Sequence, residues 1–430
     1  MIDLGRTKWR LITLTYNVNG QKPDPEAVPQ LLENENLAGG DFVAIGLQEL
    51  THSDVGNFMP PEETWAKHIA DWMTSRGSVL LKRTYLASNM LLLFTRIHFL
   101  TKISSVDFRY IRATMGGLAG YKGSIAVRIV FGGDKTSICF VTSHMFHSEK
   151  FYWKRAEQYK NSYSQCTFRD KPATGNDFVM WMGDLNWRVD TTMDAEKVAK
   201  AVSPLEGNEA AMGEYIQAND QLSRAMELGH AFNHFVEGSI SFLPTYRLLV
   251  GTTNFDLKRV PSWCDRVLYK EDDNLALIRY NSYSRITLSD HLPVIAEFEC
   301  SIDEPLELEL IHFLPLQRWY SGVPLSCRFR FGQNYWRRDG SYKDWIGIYE
   351  NVTEVENPLK YVFALTTFDE LFEGIPTVVA EFSALDSGIY RIGYFSYNRG
   401  CLIALSNPFV VSLPHLSTAT EALPSTSMKP

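Results

Sequence analysis

The sequence is poor in the features that mark several large protein classes. Its six cysteines (Cys139, Cys166, Cys264, Cys300, Cys327 and Cys401) are scattered, with no CxxC pair and no metal-like spacing. That fits free thiols in a reducing compartment better than a disulfide framework. No apolar stretch approaches the ~20 residues needed to span a bilayer. The opening Met-Ile-Asp-Leu-Gly lacks the charged start and apolar run of a signal peptide, so a cytosolic, soluble chain is expected. Positive charge is short as well: 42 Lys and Arg against 50 Asp and Glu give a net charge of −8. A surface that attracts nucleic acid everywhere is thereby excluded, and any anionic ligand has to meet a local basic patch. There is no internal repeat.

What is present is ordinary globular composition, 45% hydrophobic and 21% charged over 430 residues, enough for two domains. Up to about residue 300, short apolar strands alternate with amphipathic helices, the pattern of mixed α/β layers. Leu11 to Val18, Phe42 to Leu47, Met90 to Thr95, Ser124 to Phe131, Ser137 to Thr142 and Phe178 to Met182 read as buried strands. From Pro61 the spacing of Trp65, Ile69, Trp72 and Met73 predicts one apolar helical face. Ser148 to Cys166 reads as another helix. After the acidic junction 301–305, residues 306–412 are aromatic and β-branched with Gly, Pro, Asn and Asp punctuation, which predicts a β-sandwich. Residues 413–430 have the Pro, Ser and Thr content of a disordered tail.

Polar residues cluster where the strands end. In Trp181-Met-Gly-Asp-Leu-Asn-Trp-Arg188, Gly183 is expected to open a loop from which Asp184 and Asn186 project to the same side. A carboxylate and an amide so placed can orient a water and hold an oxyanion; an Asx-turn that merely ends the strand fits equally well. In Pro261-Ser-Trp-Cys-Asp-Arg-Val-Leu268, Asp265 and Arg266 lie between apolar residues, where charges need partners. Ser289-Asp290-His291 sets an acid beside an imidazole, and Asp265 or Asp290 can hold that ring protonated. Asn17 and Glu49, each at a strand end, offer oxygen ligands for a hard cation such as Mg²⁺.

Taken in order, Asn17, Gln48-Glu49, the Trp-x-Gly-Asp-x-Asn-x-Arg run, Pro-Ser-Trp-Cys-Asp-Arg and Ser-Asp-His resemble the inositol polyphosphate 5-phosphatases over residues 8 to 300. These belong to the Mg²⁺-dependent endonuclease/exonuclease/phosphatase superfamily. The resemblance implies an α/β catalytic domain over 1–300, a four-layer sandwich of two mixed sheets between helices. Asp344-Trp-Ile-Gly-Ile-Tyr349, Gly388-Ile-Tyr-Arg-Ile-Gly-Tyr-Phe395 and Ser406-Asn-Pro-Phe409 resemble the SKICH domain, an immunoglobulin-like all-β sandwich.

The family resemblance also implies roles. Glu49 holds Mg²⁺ with Asn17 close by, and Asp290 completes the metal surroundings. Asp184 activates water, Asn186 touches the phosphate, and His291, oriented by Asp265, stabilises the transition state. His144 matches a phosphate-contacting histidine. Lys122, Tyr246, Arg247, Lys258 and Arg259 bind substrate, together with Arg188 and Arg266 of the two signature runs. Three departures stand out: Ser148 holds the place of a second histidine, with His147 one residue earlier; Thr-Tyr-Asn-Val replaces Thr-Trp-Asn-Val; and Pro244-Thr-Tyr-Arg247 carries Arg where relatives have Lys.

Five bases between Lys102 and Arg128 (with Arg109, Arg112 and Lys122) against the single acid Asp107 mark the expected basic patch. The implied reaction is Mg²⁺-dependent removal of the 5-phosphate from phosphatidylinositol 4,5-bisphosphate and 3,4,5-trisphosphate, with soluble inositol phosphates as further substrates. Phosphoinositide head groups at the endoplasmic reticulum or plasma membrane are the implied partners. Phe242, Leu243 and Leu118 either dip into the lipid or lie in the core. A nuclease of the same superfamily and an inactive scaffold stay open as alternatives, although a duplex calls for a longer basic track. The sandwich carries no catalytic residue and is expected to place the enzyme through a protein partner, leaving the catalytic part able to work alone.

Overall fold

In the first strand, side chains alternate between two cores. Trp9 and Leu11 point into one apolar cluster, Ile12 and Leu14 into another. This period-two switch makes a strand covered on both faces. In this computed structural model the described residues are 6–51, 64–114, 119–132, 136–169, 171–307, 310–316, 318–332 and 340–414.

The N-terminal part holds β1 (Arg6–Asn17), α1 (Ala27–Asn34), β2 (Phe42–Gln48), α2 (Thr64–Ser75), β3 (Ser78–Leu86), β4 (Asn89–Arg96), β5 (Ile103–Thr114) and β6 (Ala119–Phe131). There follow β7 (Thr136–His144), α3 (Tyr152–Gln165), β8 (Phe178–Asp184), α4 (Ala195–Val202), α5 (Glu209–Asn219), α6 (Gln221–Glu227), β9 (Val236–Glu237), β10 (Asp265–Tyr269), β11 (Leu275–Ser282) and β12 (Val294–Asp303). Two six-stranded sheets result, ordered β11-β12-β1-β2-β4-β3 and β5-β6-β7-β8-β10-β9. Both are mixed: β1 runs parallel to β2 and β7 to β8, and the other neighbours are antiparallel. The apolar faces of the sheets meet around Trp9, Phe42, Phe131 and Phe140, while α1 and α2 cover one outer face and α3 and α6 the other. Four layers follow, as the α/β pattern predicts.

All four residues of the expected apolar face of α2 are buried, and its expected first residue, Pro61, lies outside the described residues. The second expected helix begins with a short 3₁₀ turn, Glu149–Phe151, capped by the Ser148 hydroxyl, before α3 proper. Strand β12 runs on to Asp303, paired with Arg6, so most of the expected junction belongs to the sheet. All six cysteines are buried and free. Among the described residues no helix is long and apolar enough to cross a membrane.

The C-terminal half is all-β: β13 (Ile311–Phe313), β14 (Trp319–Tyr320), β15 (Leu325–Phe331), β16 (Trp345–Tyr349), β17 (Lys360–Phe363), β18 (Phe368–Phe372), β19 (Ile375–Phe382), β20 (Gly388–Ser396), β21 (Cys401–Leu405) and β22 (Phe409–Ser412). One sheet is ordered β13-β15-β19-β18; the other is β14-β22-β20-β16-β17, with β21 also on β20.

The sandwich is docked on the N-terminal part, the packed arrangement that composition left open. Leu402 and Ile403 share one continuous apolar core with Leu100 and Ile103. The Val106 amide donates to the Arg399 carbonyl at 2.7 Å, and the Arg399 guanidinium reaches Ser104 O at 3.2 Å. A seam with buried apolar residues and backbone hydrogen bonds is a fixed one.

Candidate active site

The strand ends converge. β1 and β2 finish side by side at Asn17 and Gln48, and β7 and β8 at His144 and Asp184, which are register partners. β10 starts at Asp265, opposite Asp184. His291 arrives on the segment just before β12, where its amide donates to Ser289 Oγ at 3.2 Å. Ligand sites of layered α/β folds lie beyond such carboxyl ends of strands.

Local backbone aims the side chains. Glu49 sits directly after β2 at φ +57°, a left-handed conformation uncommon for a residue with a Cβ. Gly183 does not open a loop as expected; it lies within β8, where a Cβ would stand 2.0 Å from Ser143 O. Asp184 therefore ends the strand, and Asn186 turns at φ +55° with its amide on Asp184 Oδ1 at 3.1 Å. The Asx-turn and the functional placement are the same structure.

Asn17 Nδ2 donates to Asp184 Oδ2 at 2.9 Å, while Asn17 Oδ1 accepts the Asn19 amide and keeps a second lone pair. His144 Nε2 faces Glu49 Oε1 at 3.4 Å and Asp184 Oδ2 at 3.3 Å, and the Lys122 ammonium contacts the same nitrogen. The hydrogen bond from His144 holds the Glu49 carboxyl down to about 2. Burial pushes Asp184 upward, but the charges of His291, His144 and Lys122 outweigh it and hold the group well below the usual carboxylate range.

The second cluster is Asp184, Asp265 and His291. His291 Nδ1 bonds Asp265 Oδ2 at 2.8 Å, and Thr245 Oγ1 donates to the same oxygen at 2.8 Å. Burial opposes a charge on the imidazole, yet Asp265 and Asp184 overcome it and raise His291 to about 9. The ring is an imidazolium at neutral pH, tilted at 40° against the Tyr246 ring with centroids 4.6 Å apart. Behind Tyr246 the buried Arg188 guanidinium lies 4.3 Å from that ring, contacts Asn186 Oδ1 and donates to the His147 carbonyl at 2.8 Å.

Other expected residues are placed differently. Arg266 does not reach the cleft: adjacent strand residues point to opposite faces, and its fully buried guanidinium pairs with Asp220 at 3.0 Å and Glu237 at 2.5 Å. Asp290 lies outside both donor clusters and faces Arg247 Nε at 3.4 Å. Arg247 also pairs with Asp256 at 3.1 Å, and Lys258 and Arg259 are exposed on the following turn. The His147 ring is exposed, so its contribution to the site is through its backbone. The basic segment is dispersed: Arg128 pairs with Asp107, Lys102 with Glu304, and Arg109 donates to Thr167 O. Phe242 is core, packed on Tyr280, and Leu243 is half-buried; Leu118 lies outside the described residues.

Asn89 was invisible to sequence reasoning, and Thr245 and Ser289 stood in the Pro-Thr-Tyr-Arg and Ser-Asp-His runs with no role of their own. Asn89 Oδ1 bonds His144 Nδ1 at 3.1 Å and Ser289 Oγ donates to Asn17 O at 2.7 Å. Asn89 opens β4 as a common polar residue, and no local pattern announces its partner.

Comparisons with known proteins agree with this geometry. The model of endonuclease/exonuclease/phosphatase family 2 matches residues 14–297, and the SKICH domain model matches 311–411. The chain is 33% identical over 308 residues to a Mus musculus protein named type II inositol 1,4,5-trisphosphate 5-phosphatase, covering 68% of this chain and 30% of that one. It is 27% identical over 449 residues to the Mus musculus phosphatidylinositol 4,5-bisphosphate 5-phosphatase A, covering 96% and 43%. The chain thus spans less than half the length of these relatives. A similar solved structure is the inositol polyphosphate 5-phosphatase domain of SPsynaptojanin with inositol (1,4)-bisphosphate and calcium ion. Its TM-score is 0.59 at 27% identity, over 69% of this chain and 86% of that one.

Proposed function

The chain belongs to the endonuclease/exonuclease/phosphatase family and carries a SKICH domain, and from this premise we propose that it is a Mg²⁺-dependent phosphoinositide 5-phosphatase. Its proposed substrates are chiefly phosphatidylinositol 4,5-bisphosphate and 3,4,5-trisphosphate, with soluble inositol polyphosphates as additional ones. The observation that carries this reading is the convergence of Glu49, Asn17, His144 and Asp184 with the Asp265–His291 pair at one edge of the two sheets.

The donor set fits a hard cation: Glu49 is ionised, and its carboxylate remains partly open to the cleft beside the oxygens of Asn17 and Asp184. Glu49 is the principal ligand and Asn17 its neighbour. Bound there, Mg²⁺ would supply charge neutralisation on the scissile phosphoryl oxygen and the leaving hydroxyl oxygen. Asp184 orients water and takes its proton. The imidazolium of His291, its Nδ1 held by Asp265, offers Nε2–H to the phosphoryl oxygens as charge develops. Asn186 keeps one amide hydrogen for the phosphate, and Lys122 and Arg188 add positive charge beneath it. Arg247, braced by Asp290 and Asp256, with Lys258 and Arg259, faces the non-reacting 4-phosphate.

Phosphate release measured over a panel of phosphoinositides and soluble inositol phosphates should be specific for the 5-position and should vanish in EDTA. Full turnover in EDTA, or nicking of DNA in place of phosphate release, would sink the assignment. Lys258→Ala should lower kcat/KM most on 4-phosphorylated substrates, whereas Lys122→Ala should slow all substrates alike. An unchanged substrate ranking at normal rates in Lys258→Ala would remove that residue from the pocket.

Action on head groups requires peripheral recruitment of a cytoplasmic protein to the endoplasmic reticulum or plasma membrane. The sandwich supports a protein partner: its outermost strand β17 exposes Tyr361 and Phe363, a suitable edge for an added strand.

A further inference from the structure

One strand joins the C-terminal sandwich to the proposed active site. The outer edge of the first sheet is β3, and sandwich residue Glu354 forms a parallel bridge to it at Leu80. The Leu80 amide donates to Thr353 O at 2.7 Å, and the Val355 amide to Leu80 O at 3.1 Å. Beside this bridge, Lys82 pairs with Glu356 at 2.7 Å and Arg83 with Glu354 at 3.2 Å. An edge strand covered in this way is restrained from fraying.

From Leu80, β3 continues for six residues to Leu86, about 20 Å at strand spacing. The turn that follows holds two parts of the site. The Ser88 carbonyl accepts the Leu50 amide at 2.9 Å, immediately after Glu49. Asn89 is buried, and its Nδ2 donates to Leu86 O at 3.0 Å, which fixes the orientation of the amide. Its Oδ1 therefore meets His144 Nδ1, at 3.1 Å, as an acceptor. Nδ1 must carry the hydrogen, and Nε2 is left turned toward Glu49, Asp184 and Lys122.

We propose that the sandwich is a brace for the active site: docked on β3, it steadies the β3–β4 turn, through which Asn89 positions His144 and Ser88 positions the Glu49 segment. Asn89 is a positioning residue, not a catalytic one, because it touches the ring of His144 on the side away from Glu49 and Asp184. For its catalytic consequence the inference rests on the hydrolase reading above; the brace itself rests on hydrogen bonds alone. Partners that orient the groups around a metal site typically contribute 10- to 100-fold in activity or metal affinity.

The test uses the full chain and phosphatidylinositol 4,5-bisphosphate in detergent micelles. Lys82→Glu with Arg83→Glu, which opposes the seam with like charges, should speed amide hydrogen exchange at Leu50 and in residues 86–91. It should also lower kcat by about 3- to 30-fold at unchanged KM. Adding Glu354→Lys and Glu356→Lys should restore both. Asn89→Ala should lower kcat by roughly 10- to 100-fold and move the His144 imidazole nitrogen resonances, while Asn89→Asp, which keeps an acceptor for Nδ1 but loses the bond to Leu86 O, should retain more of kcat than Asn89→Ala. The brace is overturned if seam reversal speeds exchange only within the sandwich and leaves kcat intact, or if Asn89→Ala keeps wild-type kcat and resonances. Should the wild-type chain release no phosphate, the hydrolase reading fails, while exchange and resonances still decide the brace. If the double reversal does not fold, Lys82→Ala read by the same exchange measurement decides the seam.

Discussion

Asp184→Asn should lower kcat by about 10²–10⁴-fold, the range for losing a general base, while the chain stays folded with its melting temperature lowered by the loss of one buried hydrogen bond. The side chain keeps its volume and its one remaining oxygen can still accept the Asn186 amide, so the turn survives while the bond from Asn17 is lost. What disappears is the anion. The surrounding His291, His144 and Lys122 charges keep this buried carboxyl ionised despite its burial, and that ionised form is what a water proton requires. Glu49→Ala should act through the cation instead, raising the Mg²⁺ concentration needed for half-maximal rate as well as lowering the rate. Phosphate-release kinetics across a Mg²⁺ titration separate the two. Wild-type turnover in Asp184→Asn would show that the base lies elsewhere.

A chain ending at Glu304 should be markedly less stable than the full chain, with a melting temperature lower by roughly 10 °C, as a loss of several kcal/mol implies for a domain of this size. Removing the sandwich uncovers Leu100, Ile103 and Val106 and leaves the edge of β3 without its partner residues 353–355. Sequence texture led to the opposite expectation, an autonomous catalytic part, because a change of composition marks a domain boundary but carries no information on docking across it. Differential scanning calorimetry of both chains decides. Equal melting temperatures would mean that the shared core contributes nothing to stability.

The layered architecture was legible because alternation is a local property: Leu11 and Ile12, or Ala44 and Ile45, declare a strand with two buried faces before any partner is known. The site was legible to the extent that its residues stand at strand ends in distinctive runs. Arg266 marks the limit of that reading. It shares a run with Asp265, yet its place one residue further along β10 turns it to the other face and into a buried ion network with Asp220 and Glu237.

By itself, then, the sequence determined the strand and helix pattern, the two-part organisation and the set of residues Asn17, Glu49, His144, Asp184, Asp265 and His291. Tertiary structure alone decided that Asn89 and Thr245 serve the site and that residues 353–355 close the edge of β3. The physical reason is range. Periodicity and turn chemistry act over a few neighbouring residues, whereas these contacts join positions from 20 to more than 270 apart, and only the packing of the finished layers brings them together.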